Sequence, residues 1–185
     1  MKVFITGASS GIGEALAREY RRRHPQAALG LVARRADALH ALAHALDGDR
    51  TLALPADVAD RGAMQRAADT YVQRFGVPDV VIANAGISAG TVTGAPGDAE
   101  VFERIVRTNV IALFDTFAPF VPGMRAAGGG CLVGIASVAG VRGLPGAGAY
   151  SASKAAAISY LESLRVELRG SGVGVVTIAP GYIRT

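Results

Sequence analysis

Tyr150 and Lys154 stand four residues apart in Tyr150-Ser151-Ala152-Ser153-Lys154, and Ser137 lies thirteen residues upstream of the tyrosine. On a helix, positions four apart share a face with Cβ atoms about 5–6 Å apart, which lets the Lys154 ammonium lie beside the Tyr150 phenol. A cation there favours phenolate, because at about 5 Å and an effective dielectric near 20 the attraction is roughly 3 kcal/mol. A tyrosine so placed can give or take a proton near neutral pH.

A second group opens the chain, Thr6-Gly7-Ala8-Ser9-Ser10-Gly11-Ile12-Gly13, after the apolar run Val3-Phe4-Ile5. A strand that feeds a glycine-rich turn and then a helix is a recurrent dinucleotide site, because the helix N-terminus offers free N–H groups and positive dipole to a pyrophosphate. Glycines at Gly7, Gly11 and Gly13 let the backbone close tightly and a cofactor approach it, with Ser9, Ser10 and Ile12 alongside. NAD sites place a carboxylate at the end of the second strand to accept from the ribose 2′-hydroxyl. That neighbourhood reads Val32-Ala33-Arg34-Arg35, with no acid. Arg34 suits a 2′-phosphate instead, so NADP(H) is expected over NAD(H), while Arg35 is expected to be an exposed loop residue. Asp57 and Val58 follow the third strand and Asn84-Ala85-Gly86 the fourth, at strand ends where open parallel sheets bind ligands. Asp57 fits adenine contact and a local helix-capping turn equally.

The elements that must position these groups are short apolar runs alternating with helical patterns. Six strands are expected, at 3–6, 28–33, 51–56, 80–84, 131–137 and 174–179. Continuous apolar runs suit strands covered on both faces, as in a parallel sheet flanked by helices. Leu39, Leu42 and Leu46, and likewise Met64, Ala67, Ala68, Tyr71, Val72 and Phe75, keep helical spacing and read as core. The segment 98–127 carries Phe102, Ile105, Val106, Val110, Leu113, Phe114 and Phe117 on one stripe before Pro119 and Pro122 interrupt it. Asn109 shares that stripe, and a polar amide on an apolar face must be hydrogen-bonded.

The totals narrow the class. A chain of 185 residues, half apolar and 18% charged, is expected to form one compact domain rather than a disordered or fibrous chain. The net charge of +4 does not demand nucleic acid. The cluster Arg21-Arg22-Arg23-His24 closes a helical pattern, where cations complement the dipole. Cys131 has no partner cysteine, which favours a reducing compartment. No leader is visible and no apolar run approaches the roughly 20 residues of a membrane span, so a cytoplasmic protein without membrane or metal partners is expected.

The ordered set resembles the short-chain dehydrogenase/reductase family: Thr6 to Gly13, Asn84-Ala85-Gly86, Asn109, Ser137, Tyr150-x-x-x-Lys154 and Pro180-Gly181 occur in the family's order and spacing. The resemblance runs the length of the chain and implies a Rossmann-like, doubly wound parallel sheet in the order 3-2-1-4-5-6. It implies NAD(P)(H) as hydride carrier, with Pro180 and Gly181 added to the cofactor site, and a catalytic group of Asn109, Ser137, Tyr150 and Lys154. In that group Tyr150 is the general acid/base and Ser137 stabilises the substrate oxygen. Lys154 holds the nicotinamide ribose, and Asn109 supports a water relay. The basic residue that often stands in the glycine turn of the NADP-preferring branch is replaced by Ser10.

Family members usually continue beyond the Pro-Gly turn with a substrate lid, a further helix and a seventh strand, so the chain is expected to be a single domain, 1–185, lacking them. What remains of a substrate pocket is Ile87, Ser88, the loop 138–148 and Tyr182, apolar or small apart from Arg142, which suits a modest apolar carbonyl compound. A homodimer or homotetramer built on the helices around 102–117 and 151–168 is also implied. A non-catalytic NADP-binding sensor or scaffold is the alternative reading.

Overall fold

The computed structural model describes residues 1–183. Its centre is a six-stranded sheet in the order β3-β2-β1-β4-β5-β6, built from β1 (Lys2–Thr6), β2 (Ala28–Ala33), β3 (Thr51–Pro55), β4 (Val80–Ala83), β5 (Gly130–Ile135) and β6 (Val173–Ile178). Every pairing is parallel, and all six residues of β2 are buried, as the unbroken apolar run requires. The expected strands are found, β2 with the bounds expected and the others differing by one or two residues at one or both ends.

Helices cover both faces. On one, α1 (Gly11–Arg23) and α2 (Ala36–Ala45) bury Ala17, Leu39 and Leu42 against Val3, Ile5 and Leu29. On the other, α3 (Arg61–Phe75), α5 (Ala112–Phe117), α6 (Val121–Ala127) and α7 (Gly148–Glu167) bury Tyr71, Phe117, Met124 and Leu161 against Phe4, Val81 and Leu132. An aromatic group ties this layer to the sheet, with Phe4 edge-on to Tyr71 at 5.4 Å and tilted against Phe120 at 4.8 Å. The Tyr71 hydroxyl donates to the Ala28 carbonyl at 3.2 Å, and burial pushes its pKa upward.

The segment 98–127 departs from the single stripe expected of it. It runs as α4 (Asp98–Val106), a π-helical turn (Arg107–Ile111), α5 and α6, with Pro122 in the first turn of α6. The π turn adds a residue to the helical count, which rotates everything after it by about 100°. Leu113 and Phe117 are consequently brought onto the buried face of Ile105 while Phe114 is exposed, and Phe102, which precedes the π turn, is exposed on α4. Length and composition alone would let this stretch cross a membrane, contrary to the expectation from apolar run length. Ala112, Leu113, Phe117, Phe120 and Met124 of this stretch pack in the core beside the sheet. Arg107 and Asp115 are also tied laterally, to the Ala59 carbonyl and to Arg61.

Helix ends behave as the charge pattern suggests. Arg22 and Arg23 close α1 and pair with Glu19 at 2.6 and 2.5 Å, while Arg21 reaches the Thr51 hydroxyl at 3.1 Å. Asp60 caps α3 by accepting from Ala63 N–H at 3.0 Å. Cys131 is partly buried, with its pKa pushed up by burial.

Candidate active site

The C-terminal ends of β1, β2, β3 and β4 open into a cleft of about 520 Å³ lined by the glycine turn, Arg34, Arg35, Asp57, Val58, Asn84, Ala85, Gly86, Ile87 and Thr108. The turn needs its glycines. Gly7 and Gly11 have φ of +67° and +58°, a region that L side chains disfavour. Gly13 is close-packed: a Cβ there would stand 2.3 Å from the Gly7 carbonyl oxygen and 2.6 Å from Asn84 Nδ2. Asn84 braces the turn by donating from Nδ2 to the Thr6 and Gly7 carbonyls at 3.0 and 3.3 Å. The Thr6 hydroxyl in turn accepts from Asn84 and Ala85 N–H at 3.1 and 3.2 Å. Ser10 begins α1 and makes no side-chain cap bond to the first-turn amides, so donor capacity is left facing the cleft. A dinucleotide fits this arrangement, with its pyrophosphate at an uncapped helix N-terminus.

The far end of the cleft is basic. Arg34 extends from the end of β2 with a largely exposed side chain, Nη1 4.0 Å from Asp57 Oδ2. Arg35 is an exposed loop residue, as expected, and it also folds over the turn. Its Nη2 donates to the Ser9 carbonyl at 2.9 Å and to Ser9 Oγ at 3.2 Å, and its Nε to Ser9 Oγ at 3.3 Å. Both arginines line the cleft. Asp57 does two things at once: it lines the cleft and forms a local turn by accepting from Ala59 N–H at 2.9 Å. The helix cap is Asp60.

Adjoining this cleft through Ile12, Asn84, Gly86 and Ile87 is a second one of about 280 Å³, where Ser137, Tyr150, Lys154, Pro180 and Gly181 meet. Ser137 follows β5 and starts a short 3-10 turn, its Oγ accepting from Ala139 N–H at 3.1 Å. Pro180 holds that turn through its carbonyl, which accepts from Val138 N–H at 3.1 Å. Gly140 lets the turn sit on α7, since a Cβ there would be 2.6 Å from the Lys154 carbonyl carbon. Tyr150 and Lys154 are one turn apart near the start of α7, with Lys154 Nζ 5.8 Å from the tyrosine ring centroid. The first turn of α7 lacks a cap from its own N-cap residue, Ala147. Thr91 supplies one from the loop after β4, accepting from Ala149 N–H at 3.4 Å.

Asn109 sits in the π turn and is 4% exposed. Its Oδ1 accepts from Ile87 N–H at 2.8 Å, and its Nδ2 donates to the Ile87 carbonyl at 2.9 Å and to Ser153 Oγ at 3.0 Å. The side chain is thus a clamp on the loop between the two clefts. The resemblance placed Asn109 at the site but not these partners, and neither it nor spacing revealed that Thr6, Ile87, Arg35 and Ser153 act as supports. Among the described residues no His/Cys/Asp/Glu group is arranged to hold a metal ion.

Lys154 is 5% exposed and donates to the Ile135 carbonyl at 2.7 Å. Desolvation lowers its pKa from 10.5 to about 8, because burial disfavours the charged form. The unfolded chain therefore binds the proton more tightly. Stability rises with pH between about 8 and 10.5, by up to about 3 kcal/mol for this group. Urea unfolding at pH 7 to 10 is expected to show that rise in the parent and its absence in Lys154→Met. At pH 7 the variant should be as stable as the parent or more so, by about 1–3 kcal/mol; a less stable variant with an unchanged pH slope would contradict the assignment.

A family model described as short chain dehydrogenase matches residues 1–185. The chain is 38% identical over 183 residues to glycine betaine reductase ATRR of Emericella nidulans, a match covering 98% of this chain and 14% of that protein. It is 35% identical over 184 residues to 2-(R)-hydroxypropyl-CoM dehydrogenase of Xanthobacter autotrophicus, covering 98% of this chain and 74% of that protein. The crystal structure of L-sorbose reductase from Gluconobacter frateurii, complexed with NADPH and L-sorbose, aligns with a TM-score of 0.93 and 32% identity over 100% of this chain and 70% of that one.

Proposed function

The chain belongs to the short-chain dehydrogenase/reductase family, oxidoreductases acting on CH–OH groups, and from that premise we propose that it interconverts a ketone or aldehyde and an alcohol with NADP(H), using Tyr150 as general acid/base. The observation that carries this reading is the junction of the two clefts at Gly86 and Ile87, with Tyr150, Ser137 and Lys154 around one and the glycine turn at the other.

The nicotinamide cofactor, when bound, supplies or accepts the hydride. Tyr150 gives its phenolic proton to the carbonyl oxygen and takes it back in the reverse direction. Ser137 donates a hydrogen bond to that oxygen, where charge develops. Its Oγ already accepts from Ala139 N–H, which leaves the hydroxyl proton for the substrate. Lys154 donates to Ile135 through one of its protons, and its remaining donors suit ribose hydroxyls. Residues 1–185 act as one dinucleotide-binding and catalytic domain. Ile12, Ile87 and Ile135 in the lining of the second cleft favour an apolar carbonyl compound, and the exposed Phe102 and Phe114 favour a homo-oligomer. The lone thiol of Cys131 fits the cytoplasm.

Arg34 carries the cofactor preference, because its guanidinium is exposed at the rim and a charge-assisted bond to a 2′-phosphate is worth about 1.5–3 kcal/mol. Steady-state rates with NADPH and with NADH over small ketones and aldehydes test this. NADPH should be preferred, and Arg34→Glu should move the ratio toward NADH by about 10- to 100-fold. Equal use of both cofactors, unaffected by Arg34→Glu, would remove the NADP assignment; NADPH binding without turnover of any carbonyl compound would leave a cofactor-binding protein in place of an enzyme.

A further inference from the structure

We propose that Ser153 is a positioning residue, fixing the Asn109 amide to the helical turn that carries Tyr150 and Lys154; the catalytic consequence rests on the function proposed above. Ser153 lies between the two candidate proton-handling residues, is 1% exposed, and faces away from the cleft into the contact between α7 and the π turn. Its hydroxyl proton goes to the Tyr150 carbonyl at 2.7 Å and its oxygen accepts from Asn109 Nδ2 at 3.0 Å.

These two bonds add to the hold that Ile87 already has on Asn109. A primary amide has two N–H donors and one carbonyl. Here one N–H goes to the Ile87 carbonyl, the other to Ser153, and Oδ1 accepts from Ile87 N–H. Reversing the amide would set Oδ1 against the Ile87 carbonyl and against a hydroxyl whose proton is already committed to Tyr150. Ile87 selects this orientation through its own N–H and carbonyl, and Ser153 reinforces it by taking the second Nδ2 proton and tying the amide to α7. A continuous chain of hydrogen bonds results, from Ile87 through Asn109 and Ser153 to the backbone of Tyr150.

The chain matters because of what lies at its ends. Ile87 lines both clefts. A Cβ on the adjoining Gly86 would be 3.3 Å from Asn109 Oδ1 and 3.5 Å from Lys154 Nζ, so the loop passes close to both the amide and the lysine. Loss of the Ser153 hydroxyl leaves one Asn109 N–H without an acceptor in a buried place. The tie between the Asn109 amide and the turn carrying Tyr150 and Lys154 is then lost, and the loop between the clefts is held less firmly in register with them.

Backbone hydrogen exchange at Ile87 reads this directly, without substrate. The Ile87 amide should be protected in the parent and exchange at least about tenfold faster in Ser153→Ala, with Ser153→Thr, which keeps the hydroxyl, close to the parent. In turnover assays Ser153→Ala should lower kcat by about 10- to 100-fold with little change in KM for NADPH. Combined with Asn109→Ala it should be no slower than Asn109→Ala alone, because both substitutions break one chain. Unchanged Ile87 exchange in Ser153→Ala, or losses in kcat that multiply in the double variant, would overturn the proposal. If the parent turns over no carbonyl compound, the proposed function fails and the exchange result still decides the role of Ser153. Should Ser153→Ala not fold, Ser153→Cys, whose thiol is a weak acceptor, is judged by the same exchange criterion.

Discussion

Tyr150→Phe is expected to lower carbonyl turnover by about 10²- to 10⁴-fold, the range for loss of a positioned general acid, while the dissociation constant for NADPH stays within about twofold, since uniform binding is untouched. The substitution removes one oxygen and keeps the ring beside Lys154, whose ammonium is 5.8 Å from its centroid and is independently anchored on the Ile135 carbonyl. Ser137 keeps its own anchor at Ala139. The cofactor cleft is lined by other residues, so binding and chemistry should separate cleanly. Fluorescence titration with NADPH beside single-turnover rates measures both. A variant that keeps more than about a tenth of the parent rate would show that the proton comes from elsewhere.

Gly13→Ala is the second large effect, and it acts on the other cleft. The new Cβ would fall 2.3 Å from the Gly7 oxygen and 2.6 Å from Asn84 Nδ2, where the first obstacle is backbone and the second is a side chain held by Thr6 and Gly7. Neither can retreat without opening the turn. Destabilisation of about 1–3 kcal/mol follows from overpacking. Weakening of NADPH binding by about 100-fold or more is expected once the turn no longer presents the α1 N-terminus. Gly48→Ala is the control, because a Cβ there meets nothing within 4 Å. Its melting temperature and NADPH affinity should match the parent. Full affinity in Gly13→Ala would mean that the cofactor does not sit against this turn.

The sheet was legible because its strands are buried on both faces, so that Ala28–Ala33, wholly inaccessible, reads in the sequence as an unbroken apolar run. The helix over Met64 to Phe75 was legible for the complementary reason, its 3.6-residue period being undisturbed. The same reasoning misjudged Phe102 and Phe114, since it carries one period through 98–117 and nothing in the residue types announces the π turn at Arg107–Ile111. That turn brings Leu113 and Phe117 onto the face of Ile105 and leaves Phe114 off it, whereas Phe102 precedes the turn and is exposed on α4.

At the site, the sequence disclosed residues that carry chemistry and concealed those that hold them. Tyr150 and Lys154 are visible through their spacing, and the cleft that joins them to Ser137 and Pro180 follows from a resemblance rather than from periodicity. The hold of exposed Arg35 on Ser9 spans 26 residues of sequence, and the grip of Asn109 on Ile87 spans 22 residues. Such contacts depend on the crossing of β1 with β2 and of the π turn with the loop after β4. The Lys154 pKa is of the same kind, since burial lowers it and burial is a property of the assembled layers.

The measurement that goes most directly to the central claim uses NADPH carrying deuterium at the transferable position of the nicotinamide, reacted with a small ketone and the parent protein. Hydride transfer onto a carbonyl carbon predicts one deuterium on the carbinol carbon of the product for each cofactor oxidised, with no label reaching the product in the presence of Tyr150→Phe on the same timescale. Oxidation of the cofactor without label in an alcohol, or no oxidation although NADPH is bound, would contradict the account.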